Sequence, residues 1–198
     1  MTKRLSFSLL CGLFCVAMLQ LPLDAQAQGR SSSQRVTGTA IGIGGRMGGR
    51  SRQFTLIANS YTAPNQIREL TAALSRGGQD EMLRVMSRMD AGRIQIGPGV
   101  GVSANVIIAD AWGDGGTKLT VFYERNTSIY ELRYGTRSED YRVGYAELYL
   151  DRRGQGQGTL IAAARVRLKG SDTWEVEDFG SFPAKLMGLR STGRVVPR

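Results

Sequence analysis

From Gly92 to Leu189 the chain is cut by turn residues every few positions, and that punctuation confines it to a β-rich fold. Runs of strand character lie at Gly92–Ile96, Ser103–Trp112, Thr117–Arg125, Ser128–Tyr134, Val143–Leu150, Thr159–Lys169, Thr173–Gly180 and Lys185–Leu189. Alternation with a period of two gives an extended strand two faces of different character. Between the runs stand Gly97-Pro98-Gly99, Gly113-Asp114-Gly115-Gly116, Gly154 to Gly158, and Gly170-Ser171-Asp172. Glycine, proline and aspartate supply the dihedrals that reversals need. Connections this short have no room for crossover helices. Neighbouring strands are therefore antiparallel, in a meander that closes into a barrel or a sandwich.

The preceding segment adds two strands and the helical part. Val36–Ile43 and Gln53–Tyr61 read as a hairpin around the glycine–arginine loop Gly44 to Ser51. Thr62 suits a helix cap, Pro64 sits in the first turn, and Ile67, Leu70 and Leu74 form one apolar stripe. Gly77-Gly78 stops that helix. A second runs from Gln79 to about Met89, with Asp80 and Glu81 in its first turn and a stripe of Met82, Val85, Met86 and Met89. The expectation is an α+β domain over residues 36–190. It has about 8–10 antiparallel strands and an αα-hairpin inserted after the second. A polar lead-in (28–35) and a flexible tail (191–198) flank it.

The first 27 residues read as an export signal. Lys3 and Arg4 precede an apolar run from Leu5 to Leu21, and Ala25-Gln26-Ala27 is a small-x-small cleavage pattern. Cleavage after Ala27 sends the mature chain to the periplasm or beyond. An uncleaved anchor is the rival reading, and its apolar run is at the short edge for a spanning helix. Cys11 and Cys15 leave with the signal, so the mature chain has no thiol, and the whole chain has no histidine. Cys- and His-based nucleophile–base pairs, the usual zinc sites and haem ligation are thereby removed. No cofactor or metal motif is present. Carboxylate pairs, Ser–Lys pairs and oxygen-ligated calcium or magnesium remain as routes to catalysis.

Loss of Lys3, Arg4 and Asp24 takes the net charge from +9 to +8. An anionic envelope polymer is one partner such a charge suits, and another exported protein is a second; no nucleic-acid partner is expected, nor a membrane span after cleavage. The glycine loop offers Arg46, Arg50 and Arg52 around backbone amides as an anion nest. It is no dinucleotide fingerprint, because Met47 holds the third glycine's place and a strand follows. A second candidate is an aromatic ladder. Tyr145 and Tyr149 share one face of Val143–Leu150 with Glu147 between them, and such rings stack on sugars or pack across strands. Glu175, Glu177 and Asp178 read as a solvated strand face. Strands charged on their exposed faces, and a chain end without an aromatic, disfavour an outer-membrane barrel.

The alternation also dictates a register. With Gly170-Ser171-Asp172 as a three-residue loop, Lys169 lies opposite Thr173. Leu168 then meets Trp174, Arg167 meets Glu175, Val166 meets Val176 and Arg165 meets Glu177.

Three stretches together resemble a group of small exported bacterial proteins of uncharacterised function. They are Tyr61-Thr62 leading to Leu74-Ser75-Arg76-Gly77-Gly78-Gln79-Asp80 and Leu83; Gly154-Gln155-Gly156-Gln157-Gly158; and Val176-Glu177-Asp178-Phe179-Gly180 with Pro183 and Leu186. The resemblance implies export and a shared scaffold, and it carries no activity or site residue. The functional expectation is a non-enzymatic exported module that binds a ligand, an envelope component or a partner protein. The alternative is a carboxylate-dependent hydrolase, which needs two acidic groups in one cleft.

Overall fold

A computed structural model describes residues 33–43, 49–125, 140–178 and 183–193. Ten strands and one helix follow in the order β1 (Gln34–Ile41), β2 (Ser51–Ala58), α1 (Pro64–Met86), β3 (Gly92–Ile96), β4 (Val102–Ala104), β5 (Val106–Trp112), β6 (Gly116–Glu124), β7 (Val143–Leu150), β8 (Gln155–Lys169), β9 (Thr173–Asp178) and β10 (Ala184–Thr192). All pairings are antiparallel, in the order β4-β3-β2-β1-β10-β8-β7-β6-β5, with β9 added to β8. The two ends of that path, β4 and β5, are consecutive in the chain, separated by Asn105 alone. One chain segment thus serves both edges, and the sheet forms a nearly closed barrel. The expected strand at Ser128–Tyr134 and the arginine-loop residues 44–48 lie outside the described residues.

Inward-facing side chains fill the barrel. Phe54, Leu56, Ile94, Ile107, Leu119, Val121, Leu148, Leu150 and Leu186 are at most 1% exposed, and the same cluster draws on every barrel strand. Burying each such side chain stabilises the fold by about 1.5–3 kcal/mol. The barrel interior is apolar, where that of a transmembrane barrel is polar. No helix among the described residues is long and apolar enough to cross a membrane.

Two glycine features differ from the sequence expectation. Gly154 to Gly158 is not all turn, since β8 starts at Gln155 and carries Gly156 and Gly158 within its barrel-forming half. A Cβ on Gly156 would sit 1.8 Å from the Tyr149 carbonyl oxygen, and one on Gly158 2.1 Å from that of Glu147. Such close approach lets the sheet coil tightly enough to close. At Gly77-Gly78 the expected αα-hairpin is absent; α1 is a single element with a kink, where Gly78 has φ 64° and ψ −157°. That conformation is open only to glycine, so the chain bends without reversing.

The kink has a physical purpose. It brings the Gln79 side chain to β8, where its Oε1 accepts from Val166 N at 2.8 Å and its Nε2 donates to the Asp140 carbonyl at 2.8 Å. Val166 lies beyond the end of β7's pairing with β8, and Gln79 supplies the missing partner. Replacing Gln79 by Ala should therefore cost about 1–3 kcal/mol, the penalty for a buried amide without an acceptor. Urea denaturation measures it, and an unchanged midpoint would contradict the role.

The helix covers part of the barrel's outer face. Leu70, Leu74, Met82, Leu83 and Met86 pack on Val106, Phe122, Val143, Tyr145, Ala164 and Val166. Trp174 Nε1 donates to Thr71 Oγ1 at 3.0 Å. Thr62 is not the helix cap. Its hydroxyl accepts from Ile107 N at 3.0 Å and its own amide donates to the Ile107 carbonyl, so it continues the ladder beside β5. Ala63 takes the cap position, and its amide donates to Gln66 Oε1. Likewise β1 reaches back into the expected lead-in, because Gln34 is buried and donates to Ser191 Oγ while accepting from Tyr61.

The β8–β9 register matches the expected one at every pair from Lys169–Thr173 to Arg165–Glu177. The ion pair on its exposed face is diagonal, with Arg167 3.0 Å from Glu177 instead of the facing Glu175. Apolar pairing on the helix side selects the register, and the exposed charges settle within it.

Candidate ligand-binding face

Among the described residues, α1 lies over only one part of the outer face, and the remainder of β5–β8 and β10 is open. Alternation along each strand brings a defined set of side chains there. In successive cross-strand pairs, Asp110 faces Lys118, Lys118 faces Tyr149, and Tyr149 faces Gln157. Gln157 in turn lies opposite the β10 bulge that contains Met187 and Gly188. The next level places Thr120, Glu147, Thr159 and Lys185 in one row.

Trp112 is the residue that turns this row into a site. It faces Gly116 across the β5–β6 hairpin, and Gly116 has no side chain to stand between β5 and β7. The indole therefore reaches Tyr149, with ring centroids 4.6 Å apart and planes tilted by 58°. Trp112 is still 50% exposed and Met187 42% exposed, unlike the other large apolar side chains of this sheet region. Together with Asp114, Arg152, Gln155 and Gln157 they line a cleft of about 960 Å³.

Beneath the aromatic pair the polar groups are mutually fixed. Lys118 Nζ lies 2.6 Å from Glu147 Oε1 and 5.6 Å from the centre of the Tyr149 ring. The Tyr149 hydroxyl donates to Glu147 Oε2 at 2.9 Å. Burial opposes ionisation of Glu147, but hydrogen bonds from Lys118, Tyr145 and Tyr149 and the lysine's charge together hold its pKa below the ordinary 4.5. Burial likewise opposes the charge on Lys118, and the hydrogen bond and charge of Glu147 outweigh it, raising the pKa above 10.5. Both tyrosines are pushed upward, first by burial and then by their bonds to Glu147.

These shifts fix a pH dependence. The folded pKa of Glu147 is depressed, so its stabilising contribution is present above the ordinary carboxylate range and fades as pH falls through it. Lys118 contributes below its unfolded value and loses that contribution as pH rises through the folded one. Glu147→Gln should therefore lower stability at neutral pH and flatten the loss on acidification. Denaturation midpoints across the acid range measure this, and wild type and variant falling in parallel would rule it out.

The two sites expected from sequence fare differently. Tyr149 stands on the open face, whereas Tyr145 is only 9% exposed, packed against Phe122 at 5.1 Å beneath α1. Of the arginine nest, Arg46 lies outside the described residues. Arg50 and Arg52 are exposed, and Arg52 lies beside Gly97 of the next turn. Gly42 and Gly49 spend their amides on backbone carbonyls that close the hairpin. Trp112, Lys118, Gln157 and Met187 were not singled out by sequence reasoning. The register argument applied to β8–β9, if used on the Gly113–Gly115 turn, places Trp112 opposite Gly116 and Lys118 opposite Asp110.

A larger cleft lies at the helix kink, lined by Arg125, Arg142, Arg165 and Arg167 together with Asp80, Glu124 and Asp140. Its charges bind the fold together. Arg142 bridges to Asp80 on α1 at 3.2 Å, and Arg167 to Glu177 on β9. The buried polar residues described are Gln34, Thr55, Thr62, Asn105 and Thr117, none of them a carboxylate. Comparison with family models, curated proteins and solved structures returns no match.

Proposed function

We propose that the protein is an exported, non-enzymatic binding module that takes its ligand on the open part of the barrel's outer face, at Trp112 and Tyr149. The observation that carries this reading is the half-exposed indole held against a tyrosine whose hydroxyl is itself fixed by Glu147. A rigid, exposed aromatic pair has already lost the side-chain freedom that binding would otherwise cost. The filled barrel interior directs the ligand to the surface. Glu147 is the most enclosed carboxylate of the face, and among the described residues it is held ionised by Lys118 with no second carboxylate in contact, which suits a positioning group better than a hydrolytic acid. Kinship with the small exported proteins that the Gly77-Gly78 and Gly154–Gly158 stretches resemble belongs to the same proposal.

Two measurements test it. The intact mass of the exported protein should correspond to a chain starting at Gln28; a mass that retains Cys11 and Cys15 contradicts export by cleavage. Native mass spectrometry of protein purified from its own envelope should show a retained ligand that is lost in a Trp112→Ala, Tyr149→Ala double variant. A ligand that both forms retain equally would overturn the site.

A further inference from the structure

We infer that the ligand is a neutral, β-linked saccharide chain lying across the strands, with successive sugars over Trp112–Tyr149, Gln157 and Met187. This rests on the binding reading above and adds its chemical class.

The first ground is charge. The chain as a whole carries +9, yet the cleft does not share that excess. Its lining holds Asp114 and Asp151 against Arg152 and Arg153. Arg152 donates to the Asp114 carbonyl, and the Asp151 carboxylate accepts from the amides of Arg153 and Gln155 at 2.8 and 2.9 Å. The adjoining Lys118 and Glu147 neutralise each other at 2.6 Å. An anionic ligand would gain little here over any other surface of this protein. A neutral one loses nothing.

The second ground is the sequence of surfaces along the row. An indole and a phenol offer flat apolar faces with polar edges, which suit the axial C–H faces of an equatorially substituted pyranose. Beside them Gln157 presents an amide able to both donate and accept to ring hydroxyls or an acetamido group. Met187 then offers a deformable apolar surface at the bulge. Tyr149 and Gln157 are direct cross-strand partners, and Gln157 lies opposite the Met187 bulge. Strands are roughly 4.8 Å apart, so one pyranose ring spans about one strand and a ribbon-like chain contacts each residue in turn. A peptide adding to a sheet would instead need a free strand edge, and β7 and β8 are paired on both sides at this level.

The third ground is rigidity. The Tyr149 hydroxyl is bonded to Glu147, and Trp112 packs against the Tyr149 ring. The two rings, their planes tilted by 58°, are thus set in place before a sugar arrives.

The test uses the mature chain and three defined tetrasaccharides: cellotetraose, chitotetraose and a sulfated heparin tetrasaccharide. Calorimetry should detect binding of at least one neutral tetramer. Trp112→Ala should weaken it tenfold or more and Gln157→Ala severalfold, with thermal midpoints near that of wild type. Binding should persist at high salt, because no phosphate- or sulfate-like charge is involved. Binding of the heparin fragment alone would overturn the saccharide class as stated, and so would neutral binding indifferent to Trp112→Ala. If neither neutral tetramer binds but the native envelope ligand is still lost in the Trp112→Ala, Tyr149→Ala variant, the class is wrong and the face stands. If that native ligand is unaffected as well, both readings fall together.

Discussion

Gly156→Ala should destabilise the protein by about 3 kcal/mol or more, although it adds one methyl group to a residue in an ordinary strand. The added Cβ would lie 1.8 Å from the Tyr149 carbonyl oxygen, 2.8 Å from its carbon and 3.1 Å from the Leu150 Cα. All three are backbone atoms of the neighbouring strand, so no side chain can swing aside. β7 and β8 would have to separate along a stretch where they pair from Leu150–Gly156 to Ala146–Leu160. The outward neighbour is the control. Gln157→Ala should change stability by no more than about 0.5 kcal/mol, as exposed substitutions usually do. Chemical denaturation of both variants measures the contrast. Equal effects would mean that β8 does not approach β7 as closely as described.

Asn105→Leu is the second substitution expected to be severe. Asn105 stands where β4 passes into β5, at the closure of the barrel, and is 6% exposed. Its Oδ1 accepts from Glu124 N at 2.9 Å, at the end of β6. Its Nδ2 donates to the carbonyls of Met86 and Met89 at 3.2 and 3.0 Å, where α1 ends. One amide thus joins the sheet seam to the helix terminus. Leucine has similar volume and none of these bonds, leaving one donor and two acceptors with reduced satisfaction. Each costs about 1–3 kcal/mol, so a total of about 3 kcal/mol or more is expected. Asn105→Asp separates the two halves of the role. It keeps the acceptor toward Glu124 but points an oxygen at two carbonyls, and it should rescue only part of the loss. Full stability of Asn105→Leu in thermal melts would contradict the account of the closure.

The legible parts of the sequence were those governed by local periodicity. Thr173 to Asp178 and Ala164 to Lys169 alternate cleanly around a glycine loop, and that alone determines their register. The apolar stripe through Leu70, Leu74, Met82 and Met86 likewise locates the helical face. What escaped depends on contacts distant in sequence. Gly154 to Gly158 has turn composition, and only the backbone of β7 at van der Waals distance explains why glycines sit in a strand. Gly77-Gly78 has the composition of a helix stop. The polypeptide bends there without reversing, because Gln79 has a vacancy to fill on β8, 87 residues further along. Asn105 interrupts a run that reads as one strand from Ser103 to Trp112, and nothing local marks it as the barrel's closure.

The site shows the same division. Alternation placed Tyr145 and Tyr149 on one face correctly, but whether that face is covered depends on where α1 ends. Helix packing buries Tyr145 and leaves Tyr149 open. Trp112 is paired to Tyr149 across a strand that contributes only Gly116 at that level, a relation between three separate strands. The net positive charge drew attention to arginine-bearing loops. In the fold, Arg142 and Arg167 are paired with carboxylates of neighbouring elements, and the half-exposed Trp112 lies on the face with balanced charge.

Ligand held on the open part of the outer face would shield its aromatic residues, which oxidative footprinting on the producing envelope can read. The protein contains two tryptophans, and Trp174 lies against α1, where it serves as an internal reference. Hydroxyl-radical oxidation of Trp112 and Tyr149 should slow markedly when the protein is bound to its envelope, with the rate at Trp174 unchanged. Equal oxidation of Trp112 in the free and bound protein, with protection at the arginine-lined cleft by the helix kink instead, would contradict binding on the open face.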